Sequence, residues 1–173
     1  MIWAGLAALA AVYLVVLALH GGRPEAGLDR FVAAGPMTTP LPAQVEDVLI
    51  VRGEQRWRFR RRDAVRWTQE EGAVAAAGFE AAIEQGLHLL HSTAIERRMS
   101  REELAGAERA VFGLDAQALA VTARGAGQSF EIAFGALNPL GLACYARIGN
   151  GEEVVLLPSY VAASWQQAIG GSR

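Results

Sequence analysis

Lysine is missing from this chain; all 16 basic side chains are arginine. With 18 acidic residues against them the charge is near balance, so no global field recruits nucleic acid. Abundant Ala and Gly point to genome composition as the source of the all-arginine bias, rather than selection for bidentate contacts. Cysteine is almost missing too. Cys144 stands alone, which excludes an intramolecular disulfide and any CxxC metal or redox motif. No serine sits in a G-x-S-x-G elbow, and no glycine run has P-loop or strand-to-helix G-x-G-x-x-G spacing. Gly125-Ala126-Gly127 falls between two expected strands, so it is a turn and not a phosphate cradle. These absences argue against catalysis and against a bound cofactor.

Charge is also missing from the start of the chain. Met1 to Leu19 is an uncharged apolar stretch, and as a helix it covers roughly 28 Å, near the hydrocarbon thickness of a bilayer. Trp3 near one end and His20 with Arg23 after the other suit the two interfaces. A cleaved signal peptide would need a basic n-region and an A-x-A-like site, and neither is present. The expectation is an uncleaved, single-pass transmembrane anchor over 1–20. Arg23 and Arg30 after the stretch, counted alone, would hold the following domain in the cytoplasm.

Residues 21–44 carry Pro24, Pro36, Pro40 and Pro42 among several glycines, which predicts an extended linker. Residues 45–173 are enough for one α+β domain with its own core. Val45 to Val51 and Arg56 to Arg62 flank a Gly53-Glu54-Gln55 turn and predict a hairpin. In its second strand Trp57 and Phe59 face one way, and Arg56, Arg58, Arg60 and Arg62 the other. Val65 and Trp67 continue as a third short strand. A helix is expected from about Ala73 to Leu90, with Phe79, Ile83, Leu87 and Leu90 on one stripe. Ala94 to Met99 is a further candidate strand.

Ser100-Arg101-Glu102-Glu103 is a capping box, opening a helix that ends near Phe112 with Gly113 as the left-handed residue. The last third reads as a meander: Leu119 to Ala123, then Phe130, Ile132 and Phe134 in alternation. Ala143 to Ile148 and Glu153 to Leu157 flank an Asn150-Gly151 hairpin signal. A helix bearing Tyr160, Val161 and Trp165 closes the chain. The expected architecture is thus one transmembrane helix followed by antiparallel hairpins and a meander with segregated helices.

Two clusters invite a chemical reading. Glu80, Glu84, His88 and His91 recur along one helix face at metal-ligand reach, but a solvated stripe with a Glu84–His88 pair explains them better, so no metal site is assigned. Between Arg52 and Arg66, seven arginines face only Glu54 and Asp63. Arg56, Arg58, Arg60 and Arg62 share a strand face suited to anionic headgroups or an acidic partner. The competing account is an exposed strand whose charges deter pairing with other chains, with Glu46 or Asp47 across the hairpin. Tyr145 and Arg147 share another sheet face that could bind a partner.

The order of Trp67 after a hairpin, Phe112-Gly113-Leu114-Asp115, Phe134-Gly135 and Tyr145-Ala146-Arg147 resembles a bacterial family. It is similar to the membrane-anchored domains of unknown function numbered 4340, here as a single copy over about Val45 to Ile169. That resemblance implies no catalytic residues, an inner-membrane location with the domain on the periplasmic side, and the company of ABC-type, gliding-motility-like transport components. The orientation so implied opposes the arginine count and outweighs it. The functional expectation is a non-catalytic accessory or scaffold subunit of a larger membrane complex, for example respiratory or photosynthetic. It would contact other integral subunits through its anchor, with no role for nucleic acid. The alternative is an extracytoplasmic binding module of a transport system.

Overall fold

The computed structural model describes residues 35–105, 109–151 and 153–170. Residues 33–173 belong to one compact unit. Its strands are β1 (Asp47–Arg52), β2 (Gln55–Arg61), β3 (Trp67–Gly72), β4 (Arg97–Arg98), β5 (Leu119–Gly125), β6 (Gln128–Leu137), β7 (Ala143–Ile148) and β8 (Val154–Pro158). Its helices are α1 (Phe79–Ser92), α2 (Arg101–Ala105) and α3 (Ser159–Ala168), with 3-10 turns at Pro42–Gln44 and Arg109–Phe112.

All eight strands join one sheet in the order β3-β2-β1-β5-β6-β7-β8-β4, and every pairing is antiparallel. This corrects the fold class expected above. The hairpins are not separate units: the β1–β5 pairing fuses the β1–β3 group to the β5–β8 meander. No helix among the described residues is long and apolar enough to cross a membrane, so the expected transmembrane helix is not part of the described architecture. The single-pass anchor was placed on residues 1–20, which lie outside those described.

Period-2 patterning explains the main core. Val48, Ile50, Trp57, Phe59, Val121, Ile132, Cys144, Ala146, Val155 and Leu157 alternate onto one face and are buried there. Helices α1 and α3 cover that face with Ile83, Leu87 and Leu90 from one and Val161 and Trp165 from the other. Gly86 lets the helices close, because a Cβ there would lie 2.6 Å from the Trp165 ring.

Helix α1 starts at Phe79, later than expected. The alanines at 73–77 favour a helix, but tertiary bonds hold them otherwise. The Gln69 amide donates to the Ala73 carbonyl, its oxygen accepts from the Ala75 amide, and the Ala76 amide donates to Ala168 at the end of α3. Gly72 and Gly78, both at positive φ, bracket the segment. The described part of the expected linker is likewise docked. The Gly35 and Met37 amides donate to the carbonyls of His91 and Leu90, and the Met37 side chain is fully buried. Apolar burial of Met37 and saturation of the last helical carbonyls make this stretch part of the domain.

Candidate functional site

The second face of the sheet has two halves. Over β6 to β8 it is closed by the segment from Met99 to Ala118, where Phe112 and Leu114 pack on Ala133 and Val154 to form a smaller core. Gly135 permits this approach, since a Cβ there would lie 2.1 Å from the Phe112 carbonyl oxygen. Gly113 makes the turn at φ 65°. The Asp115 carboxylate then accepts from the Gln117 amide at 2.8 Å, leading the chain into β5. The capping box forms as well, with Ser100 and Glu103 each accepting from the other's amide.

Over β2, β1 and β5 the second face is open. Three cross-strand rows line it: Arg60–Asp47–Arg124, Arg58–Leu49–Thr122 and Arg56–Val51–Ala120. Leu49, Val51, Ala120 and Thr122 are half-buried, and the arginines stand around them. The alternation expected for β2 places Arg56, Arg58 and Arg60 together here, opposite the buried Trp57 and Phe59.

The charges on this face are largely paired. Asp47, only 7% exposed, receives the Arg58 Nε–H at 2.9 Å on one oxygen, while Arg124 lies 3.8 Å from the other. That hydrogen bond and the Asp47 charge raise the Arg58 guanidinium further above its ordinary value. Arg60 lies 3.2 Å from Glu70, and Arg62 lies 3.6 Å from the same carboxylate. Arg62 falls beyond the end of β2 and also donates to the Thr68 hydroxyl on β3. Arg56 has no ion pair among the described residues. The Arg60 and Arg62 pairs with Glu70 are exposed and contribute little stability, typically below about 1 kcal/mol each, so they can be exchanged for pairs with a partner at small cost. The Arg58–Asp47 pair, in contrast, holds a buried carboxylate and stays in place.

Beside this face Glu46, Asp47, Arg60, Arg124 and the β5–β6 turn through Ser129 line an open hollow of about 370 Å³. The Oδ1 atom of Asp47 is buried without a hydrogen bond, its nearest cation being Arg124 at 3.8 Å.

Tyr145 and Arg147 do not join the arginine cluster. β1, β5 and β6 separate their strand from β2, a gap of about 19 Å at ordinary strand spacing. Tyr145 is half-buried against Phe112, with ring centroids 5.0 Å apart, so it serves the smaller core. Arg147 is half-buried, in register with Ala133 and Val154, and its Nε has no hydrogen-bond partner.

The helical Glu/His stripe is spent on structure. Glu80 accepts from the Trp67 amide, Glu84 accepts from the Trp67 indole N–H at 2.6 Å, and His91 Nδ1 lies 3.0 Å from the Met37 carbonyl oxygen. The expected Glu84–His88 pair is replaced by Arg61, 2.8 Å from Glu84.

Arg61 is the residue that sequence reasoning undervalued. It turns away from the arginine face, stacks 4.5 Å above Trp67, and donates to the carbonyls of Val45, Ala64 and Pro42. Only its parity with Trp57 and Phe59 signalled that direction. Arg124 was also missed, because nothing local to β5 shows that it will lie beside Asp47. Cys144 is buried among apolar groups, and burial pushes its thiol up to about 11. No protein-family model, no curated protein and no solved structure matches this chain.

Proposed function

We propose that this chain is a non-catalytic accessory subunit that supports a larger bacterial membrane assembly, working at the cytoplasmic membrane with its sheet domain on the periplasmic side. The observation that carries the proposal is the open β2–β1–β5 face. There Leu49 and Val51 stay half-exposed inside a frame of arginines and carboxylates, of which the Arg60 and Arg62 pairs with Glu70 are weak surface pairs. An apolar strip with a polar, exchangeable rim is the composition of a protein-docking surface. The residue types that most often do chemistry support the same reading, since Glu80, Glu84 and His91 are each bonded within the domain.

The test is purification of the tagged full chain in mild detergent, with mass spectrometry of what accompanies it. A stoichiometric set of membrane subunits, lost when Arg58→Glu and Arg60→Glu are introduced together, is the expected result. Unchanged association in that double variant would remove the arginine face from the proposal. Recovery of the chain alone would overturn the accessory role.

The hollow beside Asp47 favours a second reading, a binding module of a transport system. The hollow's lining of Arg60 and Arg124 beside Glu46 and Asp47 suits a small ligand carrying both a hydrogen-bond donor and an anionic group. Co-purification with an ATPase and a permease would favour that reading over the first.

A further inference from the structure

Four large apolar side chains are exposed together at one end of the sheet. Leu137, Leu140 and Leu142 are 56%, 77% and 70% exposed, and Tyr160 in the first turn of α3 is 53% exposed. Leu137 ends β6, and Leu140 and Leu142 sit on the β6–β7 connection. The Ser159 amide donates to the Leu142 carbonyl, which ties the fourth to the same place. Lone exposed leucines need no explanation, but a contiguous group does.

This tip is built rather than loose. Asn138 organises it: its amide donates to the Ala143 carbonyl, its side-chain oxygen accepts from the amides of Leu142 and Ala143, and its carbonyl accepts from Gly141. The amides of Asn138, Gly141, Leu142 and Ala143 are thus all bonded within the turn, while its leucines are exposed. From Ile132 to Ala146 no side chain is charged. The same end of the sheet carries Arg52, in the cross-strand row with Leu119 and Phe134, and Arg56, one row further from the tip and on the other face. Neither has an ion pair among the described residues. Glu54 lies in the turn between them, and Asp115 at this end is held by the Gln117 amide.

We infer that the β6–β7 tip is a lipid-contacting element, seating Leu137, Leu140, Leu142 and Tyr160 in the interfacial layer of a bilayer with anionic headgroups. An uncharged tip with four of its amides bonded internally gives up less polar hydration on entering that layer than an open loop would. Tyrosine suits the boundary because its ring is apolar and its hydroxyl stays wet. Arg52 on β1 and Arg56 on β2, two and three strands from β6 and set back from the tip, add positive charge at this end that suits anionic headgroups. The contact is interfacial and spans nothing. It rests on the membrane-side reading proposed above.

The experiment places an environment-sensitive NBD label at Leu140→Cys in the full chain, with vesicles of phosphatidylcholine and phosphatidylglycerol. Cys144 is buried and stays unlabelled. The control is Gln128→Cys, at the other end of β6 and about 30 Å away. The expected result is flotation with the vesicles, a blue shift of the Leu140 label, and its quenching by lipids with a shallow nitroxide. The Gln128 label should remain water-like and unquenched. Flotation with an unquenched Leu140 label would overturn the tip contact and leave the membrane reading standing. Failure to float would overturn both. A blue shift that grows with protein concentration and needs no vesicles would mean a second copy covers the tip, and would overturn the lipid assignment.

Discussion

Gly86→Ala should destabilise this protein, although helix propensity alone gives the opposite sign. In the interior of α1 an alanine is favoured over glycine by about 1 kcal/mol. The added Cβ, however, would stand 2.6 Å and 2.7 Å from two atoms of the six-membered ring of Trp165. That is about 1 Å inside an ordinary carbon–carbon contact. Trp165 is fully buried between the helices and the sheet, so its ring has no solvent-filled space to move into. Overpacking of this kind costs about 1 to 3 kcal/mol, which leaves a net loss of up to about 2 kcal/mol once the propensity gain is subtracted.

Urea unfolding followed by circular dichroism measures this, with the slope against urea checked for constancy. The decisive comparison is the same substitution in a Trp165→Phe background. Phenylalanine lacks the outer ring atoms that the new methyl would meet, so Gly86→Ala should be neutral or stabilising there. A coupling energy of about 1 to 3 kcal/mol between the two sites is expected. If Gly86→Ala raises the midpoint beside the native Trp165, the packing argument for this glycine is wrong.

Arg61→Lys should cost about 2 to 4 kcal/mol, because an ammonium cannot serve three carbonyls and Glu84 together or stack flat on Trp67; a chemical-denaturation midpoint close to the native one would refute that role. Asp63 is held below the usual carboxylate range, first by the Val65 amide and then by Arg66. A depressed folded value contributes stability that is present above the unfolded pKa, about 4, and is lost as pH falls through the folded one. The melting-temperature gap between native protein and Asp63→Asn should therefore be open at neutral pH and close in acid, and a gap constant with pH would contradict it. Cys144 should resist alkylation at pH 8 in the native protein and react fully in denaturant, as counted by mass spectrometry; rapid native labelling would show that the strand β7 interior opens.

Much of the open face was legible in the sequence, and its electrostatics was not. Alternation along Arg56 to Arg62 separated the arginines from Trp57 and Phe59, because side chains on a strand point to opposite faces with period two. Alternation does not reveal partners. Asp47 could be named from the hairpin, since it lies across from Arg60 in the same local unit. Arg124, Glu70 and Glu71 reach this face only through neighbouring strands. Their arrival turns a seemingly unopposed cationic stripe into a mostly paired surface. The helical stripe misled for a related reason. Spacing along α1 put Glu80, Glu84 and His88 on one side, but the unpaired amide and indole N–H of Trp67 drew the carboxylates toward β3.

What the sequence determined by itself is what short-range physics controls. The Gly53 turn, the β7–β8 hairpin (turning at a left-handed Gly149 rather than at the Asn150-Gly151 step), the Ser100–Glu103 capping box, the left-handed Gly113 and the buried parity of β2 all follow from steric limits and hydrogen bonds spanning a few residues. Tertiary structure decided the rest: the β1–β5 pairing, the delayed start of α1, the docking of Gly35 and Met37 on the end of α1, and the inward turn of Arg61. Each joins groups far apart along the chain. Unpaired backbone carbonyls, buried N–H donors and apolar surface had to find partners there, and local pattern does not encode which distant partner satisfies them.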